Sequence, residues 1–99
     1  IVSFSKKIEI EVEKIEEVLI AAKNGADIIM LDNMSPDQVA DAIKLLKEHN
    51  LRDQVIIEVS GGITQNNIVD YLLSVPDVIS TSELTQFPSE RIDFSLRFD

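Results

Sequence analysis

Short runs of β-forming apolar residues alternate with amphipathic segments along this chain of 99 residues. The first four runs begin roughly 20 to 27 residues apart, a spacing typical of βα units. They lie at about 7–13, 27–32, 54–59, 77–81 and 92–98. Such an order predicts right-handed βα crossovers and a parallel sheet, because each helix returns the chain to the same end of the sheet. We therefore predict an α/β fold.

Apolar spacing and end signals place the helices between these runs. The predicted helices cover about 14–24, 36–49 and 65–74. Ser35, Pro36 and Gln38 predict a capping box with proline at the first helical position, Gly25 a C-cap, and Thr64 the N-cap of the third helix. The predicted inward residues are Ile15, Val18, Leu19 and Ala22, then Val39, Ala42, Ile43 and Leu46, then Ile68, Tyr71, Leu72 and Val75.

The first run, KIEIEVE, separates a barrel from an open sheet. Strict alternation puts Ile8, Ile10 and Val12 on one face and leaves the carboxylates of Glu9, Glu11 and Glu13 on the other. An open doubly wound sheet buries both faces, whereas a barrel lumen that opens to a site tolerates carboxylates. A complete eight-stranded barrel takes about 250 residues. We therefore predict about half of an incomplete TIM-like barrel, with a solvated edge strand as the alternative for these glutamates.

Composition narrows the classes of function. Eighteen acidic and nine basic residues give a net charge of −9, which repels nucleic acid and anionic membranes. The chain has no cysteine, which excludes disulfides and thiolate metal sites, and its apolar stretches are far too short to span a bilayer. We expect a single-domain cytoplasmic protein that binds neither nucleic acid nor membrane.

Chemically active residues follow the predicted strands, at the end where parallel βα folds gather their ligands. They are Glu11, Glu13, Asp32, Asn33, Glu58, Ser60, Gly61, Gly62, Ser80, Thr81 and Ser82. Carboxylates opposite a glycine turn predict a phosphorylated substrate bound with Mg²⁺, because hard cations prefer oxygen ligands and bridge to phosphate. No Lys or Arg lies between Arg52 and Arg91. A phosphate there requires backbone N–H groups, a cation, or positive charge from another segment.

Each of these residues also has a structural interpretation. The glycine pair fits a tight turn without a ligand equally well. For Asp32 we favour a functional role, because the helix that follows already has its own cap and does not need this carboxylate. Glu58 is predicted to point inward, and His49, at a helix end, is predicted to be structural or solvated. Met30 and Met34 are expected in the core.

The chain resembles a known family in five successive runs: IEIEVE, GADIIMLDNMSP, IIEVSGGIT, PDVISTSELTQ and IDFSLRF. The family is quinolinate phosphoribosyltransferase, also called carboxylating nicotinate-nucleotide pyrophosphorylase, and the resemblance is to its carboxy-terminal part. The similarity covers nearly the whole chain, and LDNMSP followed by EVSGGIT is its most specific feature. A related family associated with molybdenum transport shares the barrel but is less similar at LDN and EVSGG.

The resemblance implies an incomplete α/β barrel, with residues 1–99 as its carboxy-terminal half, and a reaction in NAD biosynthesis. In that reaction quinolinate displaces pyrophosphate from phosphoribosyl pyrophosphate with Mg²⁺, and decarboxylation gives nicotinate mononucleotide. Glu11 and Asp32 match the acidic pair near the metal and ribose, where they would stabilise an oxocarbenium-like transition state. The matches to the family's phosphate turn are Ser60, Gly61 and Gly62, joined by backbone around Ser82 and Glu83.

Several departures from the family pattern accompany this resemblance. Ser82 replaces a usual glycine, Gln86 a usual histidine, and SVPD a glycine-containing turn, and the Cβ of Ser82 is expected to crowd the phosphate. The family's amino-terminal domain and first barrel strands carry the basic residues that hold quinolinate and pyrophosphate, and this sequence begins after them. We expect a piece of a longer enzyme, inactive alone and at least dimeric when intact. The alternatives are a non-catalytic βα module that binds phosphate or packs against a partner, and a phosphoribosyltransferase-like protein of the family associated with molybdenum transport.

Overall fold

A computed structural model describes residues 7–81 and the backbone of residues 95–98. The strands are β1 (Glu9–Val12), β2 (Ile28–Asp32), β3 (Ile56–Ser60), β4 (Val78–Thr81) and β5 (Ser95–Phe98), and the helices are α1 (Ile15–Lys23), α2 (Pro36–Glu48) and α3 (Ile68–Leu72). A 3₁₀ turn, Arg52–Gln54, precedes β3. The strands are parallel and lie side by side in chain order. This confirms the predicted α/β fold and matches part of a TIM-like barrel, in which consecutive strands are neighbours.

The ends of α1 and α2 follow their local sequence signals. Ser35 Oγ accepts a hydrogen bond from the Gln38 N–H at 3.2 Å, and Gln38 Oε1 accepts one from the Ser35 N–H at 2.9 Å. Pro36 takes the first position of α2, and Gly25 follows α1 with a φ of 91°. The predicted capping box and glycine end are therefore confirmed.

The third helix differs from its prediction. The α-helix covers only Ile68–Leu72, and residues 65–67 form a turn. The prediction that Thr64 caps this helix is wrong: Asn67 is the N-cap residue, and Thr64 Oγ1 accepts from the Asn66 N–H within the preceding turn. The Thr64 carbonyl accepts from the Ile68 N–H at 3.0 Å, so one hydrogen-bonded turn does precede α3. The Asn67 side chain binds backbone of the loop before it, and this local competition for backbone groups keeps residues 65–67 out of the regular α-helix.

Helices α1 and α2 cover one face of the sheet. The buried strand residues of this face are Val12, Ile29, Leu31, Ile57, Val59 and Ile79. The predicted inward residues Val18, Val39 and Leu46 join them in one core, and burying each large aliphatic side chain contributes about 1.5–3 kcal/mol. Met34 is buried as predicted, whereas Met30 is only partly buried. In the described part of the chain, no helix has the length and apolar character needed to cross a membrane.

The opposite face of the sheet carries the glutamates, as predicted. Glu9, Glu11 and Glu13 are exposed, while Val12 is buried. Two apolar residues depart from their predicted positions. Ile8 is 51% exposed because it precedes β1, and Val75 is 68% exposed because its φ of 57° turns the chain away after α3.

Two aspartates form equivalent hydrogen bonds to backbone N–H groups at the amino-terminal ends of the strands. Asp27 Oδ2 accepts from the Ile8 N–H at 2.8 Å, and Asp77 Oδ2 accepts from the Ile57 N–H at 2.7 Å. Each aspartate lies just before a strand and binds a backbone N–H near the start of the preceding strand. Arg52 forms an ion pair with Asp77 at 3.1 Å and so supports the second of these hydrogen bonds.

Candidate active site

Three carboxylates converge at the carboxyl ends of β1 and β2. One carboxylate oxygen from each of Glu11, Glu13 and Asp32 lies within 4.8 Å of the others. Parallel pairing of the strands puts Glu11 beside Met30, and Asp32 is the last residue of β2. Glu11 and Glu13 are exposed and Asp32 is half-buried, so a hydrated cation can reach them. Clustered carboxylate oxygens suit Mg²⁺, which binds through one or two carboxylates plus water and substrate phosphates.

The glycine turn after β3 touches this acidic group. A Cβ built on Gly61 would lie 3.1 Å from Asp32 Oδ1 and 2.9 Å from the Asn33 backbone nitrogen. Only glycine fits so close to a neighbouring backbone, and the φ of 87° at Gly61 is a second reason for glycine here. Asn33 adopts a φ of 58°, and its N–H donates to the Ser60 carbonyl at 2.9 Å. The acidic cluster and the glycine turn are thus parts of one site.

Hydrogen bonds to its carbonyl groups fix the glycine turn. Asn67 Nδ2 donates to the Gly62 carbonyl at 2.9 Å, and Thr81 Oγ1 donates to the Ile63 carbonyl at 2.9 Å. Asn67 Oδ1 also accepts from the Thr64 N–H at 2.7 Å. Within residues 7–81, no acceptor is recorded for the N–H groups of Gly61, Gly62 and Ile63. The Ser60, Gly62 and Ile63 carbonyls are therefore engaged while these amides are available, as an anion requires.

A buried carboxylate lies below the glycine turn on the same face. Glu58 is 3% exposed, pairs with Met30 in the strand register, and accepts from Ser80 Oγ at 2.8 Å. The predicted inward direction of Glu58 is confirmed. Because a buried charge is costly without hydrogen bonds, the Ser80 hydroxyl helps to keep this carboxylate on the sheet face that carries the site.

The predicted site residues fall into two groups. Glu11, Asp32, Ser60, Gly61 and Gly62 come together at one end of the sheet. The predictions for Ser82, Glu83 and Gln86 fall outside the described residues. His49 is exposed at the end of α2 with its Nδ1 3.0 Å from the Leu45 carbonyl, which fits the prediction of a structural or solvated residue.

Sequence reasoning missed two residues that hold the turn. Asn67 was placed inside a helix, and Thr81 was considered only as a rim residue. The signal for Asn67 was available, because Asn readily hydrogen-bonds the backbone of a nearby turn. The signal for Thr81 was not, because its bond to the Ile63 carbonyl joins residues 18 apart in the sequence.

These features define a class: a parallel βα half-barrel with carboxylates and a glycine turn at the carboxyl ends of its strands, where barrel enzymes hold phosphorylated substrates. The chain belongs to the quinolinate phosphoribosyl transferase family, since residues 1–97 match the family model described as "Quinolinate phosphoribosyl transferase, C-terminal domain". The resemblance identified from the five sequence runs is thereby confirmed.

Relatives and solved structures agree with this assignment. A probable nicotinate-nucleotide pyrophosphorylase (carboxylating) of Archaeoglobus fulgidus is 46% identical over 95 residues, which cover 96% of this chain and 36% of that protein. The human nicotinate-nucleotide pyrophosphorylase (carboxylating) is 37% identical over 94 residues, covering 95% and 31%. The structure of the Francisella tularensis nicotinate-nucleotide pyrophosphorylase matches with a TM-score of 0.66 and 30% identity, covering 94% of this chain and 26% of that one. The chain spans about a third of the length of these curated relatives.

Proposed function

We propose that this chain is the carboxy-terminal half of the barrel in a quinolinate phosphoribosyltransferase. The enzyme would join quinolinate to phosphoribosyl pyrophosphate, with release of pyrophosphate and CO₂, and so supply nicotinate mononucleotide for NAD biosynthesis. The observation that carries the proposal is the contact between Asp32 and Gly61, which unites a carboxylate cluster with a phosphate-type turn. Family membership supports the choice of substrates.

The carboxylates would hold Mg²⁺ and stabilise positive charge. Glu11 and Asp32 are the proposed metal and ribose ligands, and Glu13 lies close enough to be a third. Held by these carboxylates, Mg²⁺ would supply positive charge that offsets the charge of the pyrophosphate. A carboxylate beside the ribose would stabilise the oxocarbenium-like transition state as pyrophosphate leaves.

The glycine turn would hold a substrate phosphate through its backbone. Ser60, Gly61 and Gly62 form the proposed turn, and the proposed contribution of backbone around Ser82 and Glu83 extends it. The segment from β3 to β4 contains no Lys or Arg, so N–H groups are its own means of attracting an anion.

The rest of the site would come from outside these residues. Quinolinate and pyrophosphate are both polyanions, and they need more positive charge than this acidic chain of net charge −9 offers. We propose that basic residues of a longer chain complete the barrel and the site, and that the intact enzyme is a homodimer or a higher oligomer. On this proposal the 99 residues alone bind phosphate groups but do not turn over substrate.

The test is substitution of Asp32 in the complete enzyme. Asp32→Ala should reduce kcat by at least about a hundredfold, the scale on which loss of one electrostatic stabiliser acts. Asp41→Asn is the matched control, because Asp41 is an exposed carboxylate on α2 and should leave turnover unchanged. Wild-type turnover in Asp32→Ala would overturn the proposal.

A binding module without catalysis is the second candidate. It is favoured by the glycine turn, which the Asn67 and Thr81 side chains of this chain hold in place. Titration of the 99-residue chain with phosphoribosyl pyrophosphate and Mg²⁺ should show binding under either reading. Turnover by the complete protein would exclude the module.

A further inference from the structure

Hydrogen bonds to the carbonyl groups set the orientation of the peptide groups in the glycine turn. In a trans peptide the C=O and the next residue's N–H point in opposite directions. The Ser60 carbonyl accepts from the Asn33 N–H, so the Gly61 N–H points away from Asn33. The Gly62 carbonyl accepts from Asn67 Nδ2, so the Ile63 N–H points away from Asn67.

Two glycines in succession make this orientation easy to lose. Gly61 and Gly62 have φ angles of 87° and 71°, and glycine tolerates both positive and negative φ. A rotated Gly62–Ile63 peptide would present a carbonyl oxygen where an N–H now lies. An anion would then meet a negative dipole in place of a donor.

Asn67 can prevent that rotation because it is itself held at both ends of its amide. Its Nδ2 binds the Gly62 carbonyl at 2.9 Å while its Oδ1 accepts from the Thr64 N–H at 2.7 Å. The two bonds fix which amide atom faces which backbone group. They also span the Ile63 peptide nitrogen, which is the donor in question.

We propose that Asn67 is a positioning residue that sets the Gly62–Ile63 peptide so that the Ile63 N–H faces a phosphate oxygen. This proposal rests on the proposed phosphate-binding role of the turn and assigns a specific donor to it. Asn67 does not touch the ligand; it acts through the peptide. Thr81 supports the neighbouring peptide through the Ile63 carbonyl.

The test combines kinetics of the complete enzyme with NMR of the 99-residue chain. Asn67→Ala should raise the KM for phosphoribosyl pyrophosphate about tenfold, as expected for loss of a hydrogen bond to a charged group. The KM for quinolinate should stay unchanged. Asn67→Asp keeps the acceptor for Thr64 but places a carboxylate against the Gly62 carbonyl, so its KM should rise further. Asn66→Ala, at an exposed neighbouring position, is the control.

In the chain itself, the Ile63 amide resonance should shift on titration with inorganic phosphate, and Asn67→Ala should weaken that response about tenfold. A phosphate response without substrate turnover by the complete enzyme would overturn the proposed enzyme and leave this inference standing. Equal KM values for phosphoribosyl pyrophosphate in Asn67→Ala and wild type would overturn the inference alone. A loss of thermal stability in Asn67→Ala with both KM values unchanged would show a purely structural role.

Discussion

Asp32 Oδ1 lies 3.1 Å from the point that a Cβ on Gly61 would occupy. The last residue of β2 and the first residue of the turn after β3 are thus in contact, because neighbouring parallel strands end at the same level. No side chain larger than hydrogen separates the carboxylate from the turn. A substrate with a phosphate and a metal-bound diphosphate could therefore meet both groups at once.

Adding a methyl group at Gly61 should disrupt both fold and binding. Gly61→Ala places a Cβ 2.9 Å from the Asn33 backbone nitrogen at a φ of 87°. We expect a loss of about 3 kcal/mol in the free energy of unfolding, from strain plus overpacking. Gly25→Ala is the control, since its φ of 91° is similar but nothing lies within 4 Å of its Cβ, and strain alone should cost about 1–2 kcal/mol. Urea unfolding measures both; equal losses would contradict the close contact.

Removing one carboxylate should weaken metal binding selectively. Glu13→Gln should raise the Mg²⁺ concentration needed for half-maximal activity about tenfold, because one charged ligand is lost. Glu9→Gln is the matched control, on the same face of β1 but outside the cluster found among the described residues. Activity at saturating Mg²⁺ should recover in Glu13→Gln. An unchanged Mg²⁺ requirement would remove Glu13 from the proposed metal site.

Val75 is a position where glycine should stabilise the protein. A β-branched residue at a φ of 57° is strained by about 1–2 kcal/mol, and Val75 is mostly exposed. Val75→Gly should raise the free energy of unfolding by about 0.5–1 kcal/mol after the entropy cost of glycine. Asn50→Gly, at a φ of 58°, should change it little because Asn tolerates this conformation. Destabilisation by Val75→Gly in thermal or urea unfolding would contradict the strain.

Tyr71 should make stability sensitive to alkaline pH. Burial raises the pKa of the Tyr71 hydroxyl above its ordinary value of 10.0, and this hydroxyl donates to the Met34 carbonyl at 2.7 Å. Since the unfolded chain ionises first, the contribution of the protonated hydroxyl is complete below pH 10 and is lost as the pH rises through the folded-state pKa. Tyr71→Phe should cost about 1 kcal/mol at pH 7 and abolish this part of the alkaline loss. Urea unfolding of both proteins at pH 7 and above pH 10 checks the sign of this difference in stability.

Local signals predicted most of the fold. Strand alternation, the Ser35 capping box and the apolar faces of α1 and α2 depend on residues a few positions apart, so the sequence contains the information. The predicted start of the third helix was wrong because the Asn67 side chain competes for backbone groups of the preceding loop. The predicted inward position of Val75 was wrong because helical periodicity cannot indicate a residue with left-handed backbone that ends the helix.

The candidate site was predictable in its residue types and less so in its internal bonds. Parallel strands end at one edge, so Glu11, Asp32 and Gly61 could be placed together from strand positions alone. The closeness of Gly61 to Asn33, and the bond from Thr81 to Ile63, depend on strand spacing and side-chain rotamers. These are properties of the assembled sheet.

The equivalent hydrogen bonds made by Asp27 and Asp77 affect which substitutions the sheet can accept. A slip of one residue in a strand would turn its glutamate or serine side chains toward the helices. The aspartates oppose that slip at the end of the sheet remote from the carboxylates and the glycine turn. Strand alignment is thus secured at one rim of the sheet, and the proposed site lies at the other. Side chains at the rim of the proposed site can therefore change without shifting the strand register.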